Sequence, residues 1–531
     1  MTAVLAVLAI SGCSLKETER GTVGFVEGYI GGVVSDEPRA ALIGRDVLSA
    51  GGSAADAAIA VYFTLSVTLP SSASLGGGGI CVIHDRKTGK VETLDFLARA
   101  PNSIPSSATR PTAIPANPRG FFALYSKYGR LRWAQLISPA EKLARFGTRV
   151  SRAFAQDLAA VNEALIAESD TRRIFGRSDV AAVKQEGDFL TQLDLSGVLG
   201  VLRTKGPGDF YNGRLSRQIV EAVTQAGGSL TVEDLRNYVP VWRETVKVPL
   251  GNETAHFATP PAAAGPLAAQ MLAMLADDDK FEDAKADERN HLLAEAALFA
   301  YADRGRWLQA DGLSSVDANF LVSKKRIQSL MQAYRPDRHV AANSLSPALV
   351  QRLENPSATG FVTVDNDGSA VACTLTMNNL FGAGRIAPGT GILLAAIPGP
   401  GGRGPTPLGP MLMVNENVKE FFFGAAASGG VTAPTALINV AARTLLGKQK
   451  LRDAIAAKRV HHGGKPDLLY YEKGLGADVL SALSGRGHRT VETTALGRVN
   501  AISCPDGIPP EPETCEAVTD PRGFGLAVTA D

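Results

Sequence analysis

Residues 355–394 read NPSATGFVTVDNDGSAVACTLTMNNLFGAGRIAPGTGILL. Two apolar runs flank Asp365-Asn366-Asp367-Gly368, a polar tetrad of the kind that gives a hairpin its left-handed position. The stretch therefore reads as two antiparallel strands followed by a Gly-rich loop. In the first run Phe361 and Thr363 alternate with Val362 and Val364, the period of a strand. Just ahead of it stand Ser357-Ala358-Thr359-Gly360. These residues either open the strand or set a hydroxyl nucleophile at its head.

The rest of the chain frames that choice. At 531 residues it is long enough for one large layered domain or for two domains. A net charge of +1, with no long basic run, gives no footing for nucleic acid. The glycines and prolines are spread along the chain, so they mark turns rather than a linker. Ala3 to Ile10 is apolar but far shorter than the roughly 20 residues of a membrane span. With Ser11-Gly12-Cys13 and then polar residues, the order resembles a bacterial lipoprotein signal. On that reading residues 1–12 are removed, Cys13 is lipidated, and the protein is exported to the periplasm, tethered to a membrane only through its lipid.

Residues 44–69 read as a helix, a Gly51-Gly52 stop, and an Ala-rich helix opened by a Ser53/Asp56 capping box. That second helix carries almost no charge and should be buried nearly all round. Gly76 to Gly79 precede a strand, the wrong order for a phosphate loop, which follows a strand and opens a helix. The middle is helix-rich, with a second capping box at Thr231/Asp234. From about residue 357 strands, turns and glycine dominate. Helices with mostly hairpin-linked strands indicate a layered α+β or αββα architecture rather than a doubly wound parallel sheet.

Cys81 and Cys373 lie in apolar strand-like segments and read as buried small hydrophobes. Cys504 and Cys515 flank a Pro-rich loop and read as a disulfide. No cysteine spacing suits zinc. Adjacent His461 and His462 point apart and read as structural, while His84, His256 and His291 have no partner spacing for a triad or a metal. No metal or organic cofactor site is recognised.

The segment order resembles the γ-glutamyltransferase family of N-terminal-nucleophile hydrolases. The matching pieces include GGSAADAAIAV, PSSASLGGGGICVIHDRKTGKVETLDF, GPGDFYNGRLSRQIVEAVTQAGGSLTVEDLRNY, TPPAAAGPLAAQML, VDNDGSAVACTLTMNNLFGAGRIAPGTGILL and DPRG, in family order over nearly the whole chain. The resemblance implies a four-layer αββα sandwich made as one precursor. The precursor cuts itself before a threonine into two fragments that stay together, here 13–358 and 359–531. The freed threonine uses its hydroxyl as nucleophile and its own amine as base, and a small amide is the substrate. Thr359 takes the nucleophile's place if one residue is deleted ahead of Phe361. Without a gap, Ala358 falls there and Gly360 replaces a histidine.

Thr376 and Asn378 match family positions that contact the nucleophile and the substrate. Gly429-Gly430 match the glycines whose N–H groups form an oxyanion hole. The arginine that holds a γ-glutamyl carboxylate falls at Leu97, with Arg99 two residues on as a substitute. The acidic partner and the Ser-Ser pair are absent from LLAAIPGPGGRGPTPLGP. The resemblance thus implies an enzyme acting on γ-glutamyl compounds such as glutathione. The departures leave room for another acyl donor, or for an uncleaved member that only binds a small molecule or peptide.

Overall fold

The computed structural model describes residues 31–309, 311–345, 358–398 and 408–530. The signal segment, Cys13 and residues 355–357 lie outside the described residues. Two antiparallel sheets carry the fold. The first runs in the order Leu526–Ala530, Gly31–Ser35, Ala358–Asp365, Ala370–Thr376, Gly78–Asp85, Lys90–Phe96, Val241–Arg243. The second runs Glu516–Val518, Arg498–Ile508, Glu420–Ser428, Gly409–Asn415, Glu253–Phe257, Val246–Leu250.

Strand parity sorts the side chains into layers. Val362 and Val364 join Leu412, Ala426 and Ile502 in the core between the sheets, while Phe361 joins Cys373 and Leu375 in the core under the first helical layer. That layer holds the helices Pro38–Ser49, Ala54–Thr68, Asn117–Tyr128 and Trp133–Phe146. On the far side, Ala264–Ala276, Ala286–Trp307 and Ala433–Ala441 cover the second sheet. The architecture is the αββα sandwich.

Ala54–Thr68 is buried at every residue, as its lack of charge requires. Its start is fixed twice. Ser53 Oγ accepts from Asp56 N at 3.1 Å while Asp56 Oδ2 accepts from Ser53 N at 3.0 Å. Asp365, at the hairpin of the central strand, accepts from Ala54 N at 3.0 Å. Gly44 lets the neighbouring helix close in, because a Cβ there would sit 2.7 Å from Val61 Cγ2. The Thr231/Asp234 box likewise opens the helix Val232–Asn237.

Cys504 and Cys515 are bonded to each other. The apolar reading of the other pair needs correction. Antiparallel register sets Cys81 directly opposite Cys373, and the two form a disulfide across neighbouring strands 292 residues apart in sequence.

Behind the second sheet the DPRG turn is an ion-pair network. Arg459 donates to Asp520 Oδ2 at 2.6 Å and to the carbonyls of Leu496 and Gly497, and Val499 N donates to the same carboxylate at 2.8 Å. Arg522 pairs with Asp520 and Glu472. Burial pushes the Asp520 carboxyl up, but the two guanidinium groups outweigh it and hold it below the usual range. The stabilisation from a depressed carboxyl is complete above the unfolded value near pH 4 and is lost as pH falls through the folded value. Asp520→Asn, which leaves Arg459 buried without its counter-charge, should cost about 3–5 kcal/mol in urea unfolding at pH 7. The loss should begin to shrink below about pH 4, where the unfolded carboxylate protonates, and vanish once the pH falls below the lower native value.

Candidate active site

The site lies where the central strand of the first sheet begins, beside the end of the strand Glu420–Ser428. Register pairs Ala358 with Thr376 and Thr359 with Leu375. Period two then turns Ala358 and Gly360 toward the second sheet and Thr359 toward the first helical layer. Gly360 has no room for a side chain: a Cβ would lie 2.9 Å from Ala426 Cβ. With the sheets this close, the histidine that the resemblance would set at this position has no space.

Thr359 is fully buried, and its Oγ1 donates to Asp36 Oδ2 at 2.9 Å. Gly360 N donates to the same oxygen at 3.2 Å. Asn500 holds the carboxylate from the other side, donating through Nδ2 to Asp36 Oδ1 at 2.9 Å and to Gly360 O at 2.8 Å. Thr519 in turn donates to Asn500 Oδ1 at 3.1 Å. On the opposite flank of the same peptide, Arg498 Nη2 lies 3.5 Å from Ala358 O.

Arg498 also lines a cavity of about 390 Å³ with Asp157, Leu380, Ser428, Gly429 and Thr432. Ser428 and Arg498 are register partners, which brings the Ala358 carbonyl and the glycine turn to one end of the sandwich. Gly429 and Gly430 have φ of +138° and +60°, and a Cβ on Gly429 would lie 2.5 Å from Gly497 Cα. Asp157, on the cavity wall, accepts from Ser71 Oγ at 2.6 Å. Burial raises its pKa above the usual carboxylate range, against the opposing pull of Ser71 and Arg498.

The structure gathers some of the sequence-derived residues and scatters others. Gly429 lines the cavity, and Thr376 faces Ala358, with its Oγ1 accepting from Asn378 N at 2.9 Å. Asn378 Nδ2 donates to Ala396 O at 2.8 Å. Thr359 is not on the cavity wall, because its parity sends the hydroxyl to Asp36. Arg99 is not there either: its strand ends at Phe96, and the 45% exposed side chain lies 3.4 Å from Asp95, which Arg243 also engages. Leu97 is buried in the core between the sheets.

Asp36, Asn500 and Arg498 escaped the sequence reading. The one signal for Asp36 is its place between an apolar strand and Pro38, where an acid has no local partner.

A family model described as gamma-glutamyltranspeptidase matches residues 40–530. The glutathione hydrolase proenzyme of Escherichia coli is 30% identical over 520 residues, covering 90% of this chain and 89% of its own. That of Pseudomonas aeruginosa is 28% identical, covering 94% of each. Among solved structures, a cephalosporin acylase from Bacillus halodurans superposes with a TM-score of 0.82 at 22% identity, over 98% of this chain and all of that one. The gamma-glutamyltranspeptidase of Helicobacter pylori gives 0.56 at 29% identity, over 61% of this chain and 97% of its own.

The glycine turn makes a direct stability test. Gly429→Ala forces a side chain into positive φ and onto backbone, and should cost about 1–3 kcal/mol in urea unfolding. Gly409→Ala meets only Leu437 Cδ2 at 3.7 Å and should cost less than about 1 kcal/mol. Equal losses would show that the turn carries no strain.

Proposed function

The chain belongs to the gamma-glutamyltranspeptidase family, and on that premise we propose that it is an amide hydrolase and acyl transferase activated by cleavage at Ala358–Thr359. The observation that carries the reading is the dressing of this one peptide bond. A carboxylate accepts from the hydroxyl on its C-terminal side, and a guanidinium faces the carbonyl on its N-terminal side.

Those groups suit an acyl shift from nitrogen to oxygen. Thr359 Oγ1 gives its proton to Asp36 Oδ2 and bonds to the carbonyl carbon of Ala358. Arg498 offsets the negative charge that develops on Ala358 O. The C–N bond breaks, the proton passes from Asp36 to the departing nitrogen, and an ester joins Ala358 to Thr359 Oγ1. Water then cleaves the ester, leaving the Ala358 carboxylate and a Thr359 with free hydroxyl and amine. Asn500 keeps the Asp36 carboxylate in place throughout.

Cleavage also answers the orientation of Thr359. While the peptide is whole, the strand fixes its side chain toward Asp36. Once its nitrogen is free, rotation about Cα–C carries Cβ into the place the nitrogen held and the amine into the place of Hα, which turns the hydroxyl toward the Gly429 side. There its own amine, with an ordinary pKa of about 7.7–8.0, serves as base at neutral pH. An acyl-enzyme forms and water or an amino acceptor resolves it. The substrate class is γ-glutamyl compounds such as glutathione or a related amide. Leu97 in the arginine's place weakens selection for the glutamyl carboxylate, so a different acyl group is admissible. The two disulfides fit an exported protein, with residues 1–12 as signal and Cys13 as lipid anchor. Among the described residues no helix is long and apolar enough to cross a membrane.

A second reading, an uncleaved member that binds a small amide or peptide, rests on the ungapped register that sets Ala358 opposite Thr376. Intact-mass analysis of the incubated chain separates the two. The enzymatic reading expects a fragment of about 18 kDa beginning at Thr359, none from Thr359→Ala, and hydroxylamine-accelerated cutting through the ester. Asp36→Asn should slow cleavage about 100-fold or more. Cleavage of Asp36→Asn at the native rate would remove Asp36 as base and leave the enzyme reading standing. A wild-type chain that stays whole would leave the binder.

A further inference from the structure

Four of the seven histidines converge outside the cavity lining, although they lie up to 197 residues apart in sequence. His339 directs Nδ1 at Glu295 Oε1 (2.7 Å) and Nε2 at Asp467 Oδ1 (3.0 Å). His462 directs its Nε2 at the same Asp467 oxygen, at 3.2 Å. Behind them His488 lies with its ring 4.4 Å from that of His339 and its Nε2 2.7 Å from His291 Nδ1. Sequence spacing showed no partner for His291, yet the fold sets it against His488.

The geometry points to a divalent transition-metal site, of zinc character, formed by His339 Nε2, His462 Nε2 and Asp467 Oδ1. Three features carry it. First, one carboxylate oxygen faces two imidazole nitrogens at 3.0 and 3.2 Å. Ligands on a tetrahedral zinc with bonds of 2.0–2.1 Å stand about 3.3 Å apart, so small shifts admit the ion. Second, the outer shell is built. Glu295 engages the far nitrogen of His339, the carboxylate–histidine arrangement that orients a metal ligand. Val340 N fixes Glu295 Oε2 at 3.1 Å, and Ala342 N fixes Asp467 Oδ2 at 3.0 Å. Third, Asp467 is 27% exposed while His462 is 1% exposed, which leaves an entry path and an open fourth position on the solvent side.

Without an ion, His339 satisfies both carboxylates only by carrying two protons. The metal takes the place of the one on Nε2. His462 must then hold its proton on Nδ1, which now accepts from Gly464 N at 3.2 Å. Loading therefore breaks that hydrogen bond and requires Gly464, held at φ +86°, to move away from Nδ1. Nitrogen and oxygen donors of this kind suit Zn²⁺, Co²⁺ or Ni²⁺ rather than Ca²⁺ or Mg²⁺.

The placement gives the ion a task. His339 precedes the Ala358–Thr359 bond, while His462 and Asp467 follow it. The ion therefore ties together two stretches of chain. If the cleavage of the previous section occurs, it becomes a staple between fragments. Metal binding itself does not depend on that cleavage.

The test is zinc retention by the full chain after chelator treatment, reloading with Zn²⁺ alone and dialysis. The expected result is one equivalent per chain, the visible absorption of a four-coordinate ion on loading with Co²⁺, and a zinc-dependent rise in Tm. His339→Ala and Asp467→Asn should weaken binding by at least about 100-fold, and Glu295→Gln by about 10- to 100-fold, with far-UV circular dichroism unchanged. No retained zinc in the wild-type chain would overturn the assignment. So would equal retention by folded Asp467→Asn, which keeps the shape of the side chain. Retention is read equally well on whole or cleaved chain, so its outcome is independent of the processing reaction.

Discussion

The strand Ala358–Asp365 is hydrogen-bonded on both sides, to Gly31–Ser35 and to Ala370–Thr376, and it is buried on both faces. Its side-chain period of two leaves no latitude, because a slip of one residue would exchange every core contact. Val362 and Val364 must face the second sheet and Phe361 the helices, which fixes Thr359 toward the helices and Ala358 toward Thr376. The two sheets come so close at Gly360 that the position tolerates no Cβ. The chemistry at the head of this strand follows from its register.

That constraint separates what could be read in the sequence from what could not. The caps of Ala54–Thr68 and Val232–Asn237 and the hairpin at Asp365 are local, with donor and acceptor three or four residues apart, so spacing alone exposes them. Asp36 meets Thr359 across 323 residues and Asn500 meets Asp36 across 464. No periodicity encodes such a contact. The Cys81–Cys373 bond and the histidine cluster failed for the same reason: each needs the register of elements that the sequence places far apart. Arg99 failed differently, because alternation assigns it a face only while the strand lasts, and the strand stops at Phe96.

The interleaving of the chain bears on what cleavage could do. Residues on both sides of the Ala358–Thr359 bond supply strands to both sheets. The first sheet takes Gly31–Ser35 and Gly78–Asp85 from before it, with Ala370–Thr376 and Leu526–Ala530 from after it. The second joins Glu253–Phe257 from before to Gly409–Asn415 from after. Hydrogen-bond ladders and apolar surface thus cross between the two stretches throughout the sandwich, so one cut leaves a single folded body. The Cys81–Cys373 bond adds a covalent tie between them.

A carboxylate at position 36 makes sense at one stage of such a life history. Asp36 accepts from Thr359 Oγ1 and Gly360 N, and Asn500 steadies it. This arrangement draws a proton from a hydroxyl whose neighbouring carbonyl is engaged by Arg498. In a mature enzyme the amine of the same threonine is the base, and a second buried acid at the hydroxyl would hold the nucleophile away from the glycine turn. On the proposed mechanism the pairing suits the intact peptide and must be broken for turnover. If Ala358–Thr359 is the bond that is cut, as proposed, the hydrogen bond that turns Thr359 from the cavity is the activating contact of the precursor, and freeing the nitrogen releases the hydroxyl to the other face.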